Sequence, residues 1–91
     1  MQTVTIYTTG SCPYCVLAKR LLAEKSINAS EIKIDADPGK LAEMIERTRR
    51  RSVPQIFIGD IHVGGYDDFH ALARSGELDG LLAGTSTHAA R

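Results

Sequence analysis

The chain carries two cysteines, Cys12 and Cys15, with Pro13-Tyr14 between them. Two thiols at this spacing can do reversible disulfide chemistry, in which one sulfur attacks as a thiolate and the other clears the mixed disulfide. The chemistry needs an attacking sulfur that ionises near neutral pH and a second sulfur within bonding reach. Cys12 stands where a strand-like run hands over to a helix-like one. There, orphan N–H groups and the positive end of the helix dipole favour an anion. Such sites lower a thiol from ~8.5 toward about 3.5–7.5. Cys15 falls on the same face one turn deeper, so the sulfurs can meet with modest rotamer change. Cys12 is therefore expected to attack and Cys15 to resolve. Half of a zinc site, or two buried apolar cysteines, are the blander alternatives. A structural zinc site needs four ligands, and His62, His70 and His88 form no compact second pair. Redox chemistry is the favoured reading.

Two further segments carry chemistry. In Ser52-Val53-Pro54, a β-branched residue before proline is held extended. A cis Val53–Pro54 bond would expose the Val53 N–H and C=O to an extended peptide, which could pair with them as an added strand does. A plain proline at a strand start explains the same residues equally well. In Gly64-Gly65-Tyr66-Asp67-Asp68, paired glycines permit close backbone approach, and the following helix start offers N–H groups to a carboxylate. Asp67 could accept from a nearby ammonium. Taken alone, however, Asp67 and Asp68 read as first-turn acids that complement the dipole.

The elements that position these residues follow from pattern. Residues 3–8 alternate and are β-branched, a first strand. From Pro13, a good first helical residue, Leu17, Ala18, Leu21 and Leu22 recur at helical spacing to about Lys25. Ser26 to Ser30 form the exit, and Glu31 to Ile34 a short strand. Asp35-Ala36-Asp37-Pro38 is a turn with N-cap chemistry, leading into a helix with Leu41, Met44 and Ile45 on one stripe. Its basic end runs Arg47, Arg49, Arg50, Arg51. Gln55–Ile58 and Ile61–Val63, joined by Gly59-Asp60, make a hairpin. Gly64-Gly65 opens a helix bearing Phe69, Leu72 and Ala73. Gly76 ends it, and Leu78 to Leu82 add one more turn. The order β-α-β-α-β-β-α implies an α/β domain in which strands separated by helices pair in parallel and the hairpin adds an antiparallel edge. Residues 1–83 form the domain, and residues 84–91 are expected to be a frayed tail.

Composition excludes several function classes. Ninety-one residues make one domain, and 43% apolar residues can bury a core. Eleven basic residues balance eleven acidic ones, so no global field favours nucleic acid or a membrane. Met1 to Tyr7 does not read as a secretory signal, and no apolar run approaches the ~18 residues of a membrane span. A cytosolic location is expected, where reducing pools keep thiols open and an inert staple is disfavoured.

The three motifs Cys12-Pro13-Tyr14-Cys15, Ser52-Val53-Pro54-Gln55-Ile56-Phe57-Ile58 and Gly64-Gly65-Tyr66-Asp67-Asp68 stand together in an order and spacing that resemble bacterial dithiol glutaredoxins. The likeness runs from about Thr3 to Leu82. Thioredoxins differ in carrying Gly-Pro between the cysteines and a preceding tryptophan, and this chain has no tryptophan. The resemblance implies a thioredoxin fold, with a four-stranded mixed sheet flanked by helices and a cis proline at Pro54. It also implies a glutathione groove beside Cys12, where Val53 meets the cysteinyl backbone, Tyr14 flanks, and Tyr66 and Asp67 hold the γ-glutamyl end. It implies reduction of glutathione mixed disulfides and protein disulfides, such as one in ribonucleotide reductase. Glutathione is then a co-substrate, with no tightly bound cofactor, flavin or nicotinamide and no metal, at a potential of about −200 to −230 mV. A monomer is expected. An iron–sulfur carrier built from Cys12 of two protomers and two glutathiones is the alternative, against which Pro13 argues. Two positions depart from the pattern: Thr9 and Leu41 stand where the family often has basic or amide residues for the glycine carboxylate of glutathione. Lys40 or the Arg49–Arg51 run is left for that task, although a solvated helix end is the plainer reading of the arginines.

Overall fold

The structure, a computed structural model, describes residues 2–83. In chain order the elements are β1 (Val4–Thr8), α1 (Pro13–Glu24), β2 (Ala29–Lys33), α2 (Pro38–Thr48), β3 (Gln55–Ile58), β4 (Ile61–Gly64), α3 (Tyr66–Ser75) and α4 (Glu77–Ala83). The strands form one mixed sheet in the order β2-β1-β3-β4. β2 runs parallel to β1, whereas β1–β3 and β3–β4 are antiparallel. This is the thioredoxin fold.

Local chemistry sets the helix ends. Pro13 occupies the start of α1, where it has no N–H to leave unpaired, and Cys12 before it is extended. The Asp37 carboxylate caps α2 by accepting from the Gly39 N–H at 2.9 Å. α2 stops at Arg49, which takes a left-handed φ of 60° and donates its N–H to the Ile45 carbonyl at 2.7 Å. α3 ends on Gly76 at φ 84°, a conformation that suits glycine.

Period-two alternation divides the core between the two faces of the sheet. Val4, Ile6, Ile56 and Ile58 point to one face and pack with Ala18, Leu22, Phe69, Leu72, Leu78, Leu81 and Leu82 from α1, α3 and α4. Tyr7 and Phe57 point to the other and pack with Ile34 and Met44 beneath α2.

Three sequence expectations need correction. β2 begins two residues early, at Ala29, so Ser30 lies in a strand. As the sheet edge, β2 pairs only with β1 and keeps just Ala29 and Ile32 half-buried, too weak an alternation to mark its start. β3 is antiparallel although a helix precedes it. It begins opposite Tyr7, near the end of β1, so α2 and residues 49–54 return the chain to the end where β2 finished. The turn expected at Leu78–Leu82 is a separate helix, α4, anchored by Leu78, Leu81 and Leu82. The tail expected at 84–91 lies outside the described residues. Among the described residues no helix is long and apolar enough to cross a membrane.

Candidate active site

Cys12 and Cys15 differ in burial because they lie one turn apart at the start of α1. Cys12 is the N-cap residue and its carbonyl accepts from the Cys15 and Val16 N–H groups at 3.1 and 3.3 Å. No side chain caps this end and no acid stands in its first turn, so the dipole's positive end is left facing the Cys12 sulfur. Cys12 is half-exposed, whereas Cys15 is 1% exposed. Burial pushes the Cys15 thiol up to about 11, reinforced by its hydrogen bond to Cys12 and by charge there. A hydrogen bond at the Thr9 backbone and the Lys19 charge act the other way. Both cysteines are free thiols.

The loop before β3 closes over the sulfur. The Val53–Pro54 peptide is cis, Pro54 is buried, and the Val53 carbonyl accepts from Cys12 Sγ at 3.5 Å. Beside it lies an open groove of about 170 Å³ lined by Tyr14, Ser52, Val53, Pro54, Gly65, Tyr66, Asp67 and Asp68. All five residues named from the sequence as glutathione contacts (Tyr14, Val53, Pro54, Tyr66, Asp67) therefore line one surface. The Tyr14 and Tyr66 rings flank it with centroids 6.3 Å apart, and His70 extends the aromatic row 5.7 Å beyond Tyr66. Asp68 has a structural job: its carboxylate accepts from the Gly65 N–H at 3.1 Å and lies 3.9 Å from Arg50. A Cβ at Gly64 would collide with that carboxylate, and φ there is 119°, so glycine is required.

The positions suspected of holding a second carboxylate are less available. Leu41 turns inward against the Tyr7–Phe57 cluster. Lys40 pairs with Glu43 at 3.5 Å. A larger hollow of about 570 Å³ lies between α1 and β2, lined by Leu22, Ile27, Lys19 and Glu31 among others, and no predicted site residue reaches it.

Sequence reasoning missed one set of residues, Ser52, Gln55 and His62, which are joined by hydrogen bonds behind the groove wall. Gln55 is 1% exposed in a run otherwise made of Ile56, Phe57 and Ile58. An amide at the head of an apolar strand was the signal, since a buried amide must find partners.

Comparison with known proteins agrees with this geometry. Residues 4–63 match the glutaredoxin family model. A glutaredoxin from Neisseria meningitidis is 54% identical over 83 residues, covering 90% of this chain and 98% of the relative. The solution structure of a glutaredoxin from Brucella melitensis superposes with a TM-score of 0.83 at 50% identity, covering 97% of this chain and 96% of that one. A crystal structure of a buckwheat glutaredoxin–glutathione complex superposes with a TM-score of 0.82 at 26% identity, covering 97% and 83%. A dithiol at a helix start, a loop folded over its sulfur and relatives that span the whole described domain agree: this chain belongs to the glutaredoxin family and is a thiol–disulfide oxidoreductase.

Proposed function

We propose that the chain reduces glutathione mixed disulfides, with Cys12 as nucleophile and Cys15 as resolving thiol, in a reducing cytosol and as a monomer. The observation that carries this is the half-exposed Cys12 sulfur at an uncapped helix start, in contact with the Val53 carbonyl beside a groove walled by Val53, Tyr14, Tyr66 and Asp67. The related buckwheat protein is known in complex with glutathione.

In the first step Cys12 thiolate attacks the glutathione sulfur of a mixed disulfide. The new bond joins Cys12 to glutathione, the old S–S bond breaks, and the released thiolate takes a proton from water. A second glutathione thiolate then attacks the glutathione sulfur on Cys12, giving oxidised glutathione and free Cys12. Alternatively Cys15 attacks the Cys12 sulfur and expels glutathione, surrendering its proton as it does so. Burial raises the Cys15 thiol, which disfavours its thiolate and favours the route through a second glutathione for small mixed disulfides. With a protein disulfide, one in ribonucleotide reductase for example, Cys12 attacks one protein sulfur, and Cys15 then attacks the Cys12 sulfur and expels the reduced protein. Two glutathiones reduce the resulting Cys12–Cys15 disulfide and leave as oxidised glutathione.

The test is turnover of the mixed disulfide of glutathione and 2-mercaptoethanol, coupled to glutathione reductase. Cys12→Ser is expected to abolish it. Cys15→Ser is expected to keep it while losing reduction of protein disulfides. Activity that survives Cys12→Ser would overturn the assignment. Thr9→Lys adds a cation three residues before Cys12, while Leu41 and Lys40 are otherwise engaged, and is expected to lower the KM for glutathione.

A further inference from the structure

Behind the groove wall a short chain of hydrogen bonds runs from the sheet edge to the loop over Cys12. Gln55 heads β3 on the α2 face and is fully enclosed. Its Nε2 donates to the Ser52 carbonyl at 3.0 Å and to Ser52 Oγ at 3.2 Å. A carbonyl only accepts, so this contact fixes which way the amide points. Gln55 Oε1 then faces His62 Nε2 at 2.7 Å, and that nitrogen must carry the proton. The His62 ring is held in turn, stacked on Phe57 with centroids 5.0 Å apart, while the Arg47 guanidinium lies 3.8 Å from the Phe57 centroid.

Residues 49–54 have no ladder of their own to hold them. Thr48 Oγ1 fixes the beginning, accepting from the Arg50 N–H at 3.0 Å and donating to the Met44 carbonyl at 2.8 Å. Gln55 fixes the far end at Ser52. The next residue is Val53, whose carbonyl meets Cys12 Sγ. Gln55 touches neither the sulfur nor the groove, yet it sets the peptide groups that face both.

We propose that Gln55, oriented by His62, is a positioning residue that holds the Ser52–Val53 backbone so that its peptide groups bind a glutathione mixed disulfide beside Cys12 Sγ. This rests on the function proposed above. Misplacing that backbone weakens substrate binding and leaves the nucleophile as it was.

The experiment measures KM and kcat for the mixed disulfide of glutathione and 2-mercaptoethanol, together with the rate at which iodoacetamide alkylates Cys12 in the reduced protein. Gln55→Leu keeps size and removes every bond of the amide. It is expected to raise KM about tenfold, with kcat and the alkylation rate little changed. His62→Phe keeps the stack on Phe57 but removes the donor, and is expected to raise KM by a smaller factor. His62→Gln restores a donor at that site and is expected to recover much of the loss. If Gln55→Leu does not fold, the His62→Phe and His62→Gln pair decides. Wild-type KM in the folded variants overturns the positioning role while the proposed function stands. An equal loss in His62→Phe and His62→Gln also overturns it, because the donor would then not matter. A wild-type protein that does not turn over the mixed disulfide removes the proposed function itself.

Discussion

On one face of the sheet, α1, α3 and α4 close over Val4, Ile6, Ile56 and Ile58 with aliphatic side chains and the ring of Phe69. On the other, α2 covers only Tyr7, Ile34, Met44 and Phe57. The first face admits a polar contact at its rim, where Thr8 Oγ1 donates to the Glu31 carboxylate at 2.6 Å and Lys19 meets it at 3.0 Å, but under α2 polar side chains meet the core more often. The Tyr7 hydroxyl donates to Glu43 at 2.5 Å and accepts from Arg47 at 2.8 Å, and the Arg47 guanidinium lies over Phe57. The first face carries the helix that presents Cys12 and Cys15. The second carries the loop that presents Val53. Apolar packing is non-directional and strong, which suits a helix whose axis must not move. Hydrogen bonds are weaker but directional, which suits a loop whose peptide groups must be aimed.

The two faces should answer differently when each is damaged at a single residue. Phe69 is fully buried among Val4, Leu72 and their neighbours, so Phe69→Ala is expected to cost about 3–5 kcal/mol in urea unfolding. Tyr7→Phe removes only the hydroxyl and leaves Glu43 and Arg47 with access to water, for an expected loss of about 1 kcal/mol. Losses of equal size would mean that the α2 face is as much a stabilising core as the other.

A smaller effect of opposite sign is expected where α2 ends. Arg49 holds φ at 60°, a region that costs a residue with a Cβ about 1–2 kcal/mol, while glycine loses about 0.5–1 kcal/mol of chain entropy on folding. Arg49→Gly is therefore expected to stabilise the protein slightly, by about 1 kcal/mol or less. An unfolding midpoint that falls instead would show that the guanidinium does more at that position than end a helix.

How far the sequence discloses this division depends on the kind of force involved. Ile6, Leu22, Phe57 and Phe69 announce the core because burial acts through periodicity, and periodicity is visible in one dimension. The dithiol is equally plain, since Cys12 and Cys15 are local to one helix turn. What acts across the chain is hidden. The direction of β3 depends on where α2 and residues 49–54 return the chain, which no local pattern encodes. Gln55, Ser52 and His62 meet only once β3 and β4 pair, so their hydrogen bonds have no signature beyond an amide in an apolar run. Leu41 reads both as a departure in a binding site and as one of an apolar stripe with Met44, and the fold bears out the stripe: it packs half-buried against the α2-face core.

The two faces can also be separated by changing only the solvent. Burial, followed by the charges of Arg50 and Arg47, holds His62 below its ordinary value of 6.5, against an opposing pull from Asp68. As pH falls through about 6.5 the unfolded chain therefore takes up a proton that the folded chain refuses. The unfolded state binds more protons in that window, so stability drops with falling pH until it passes the folded value. Glu43 and Glu31 are shifted the same way for a different reason. The Tyr7 hydroxyl holds Glu43 below 4.5, and the Thr8 hydroxyl holds Glu31 below it. Their contributions are complete above that value and are lost only as pH falls through their lower folded values. Thermal midpoints followed from about pH 8 to 3 should thus fall in two stages, the first belonging to His62 and the second to the carboxylates. His62→Gln is expected to flatten the first stage and leave the second. A first stage that survives in His62→Gln would place the titrating group elsewhere. The polar contacts beneath α2 would then be less sensitive to protons than their burial implies, and the contrast between the two faces would rest on packing alone.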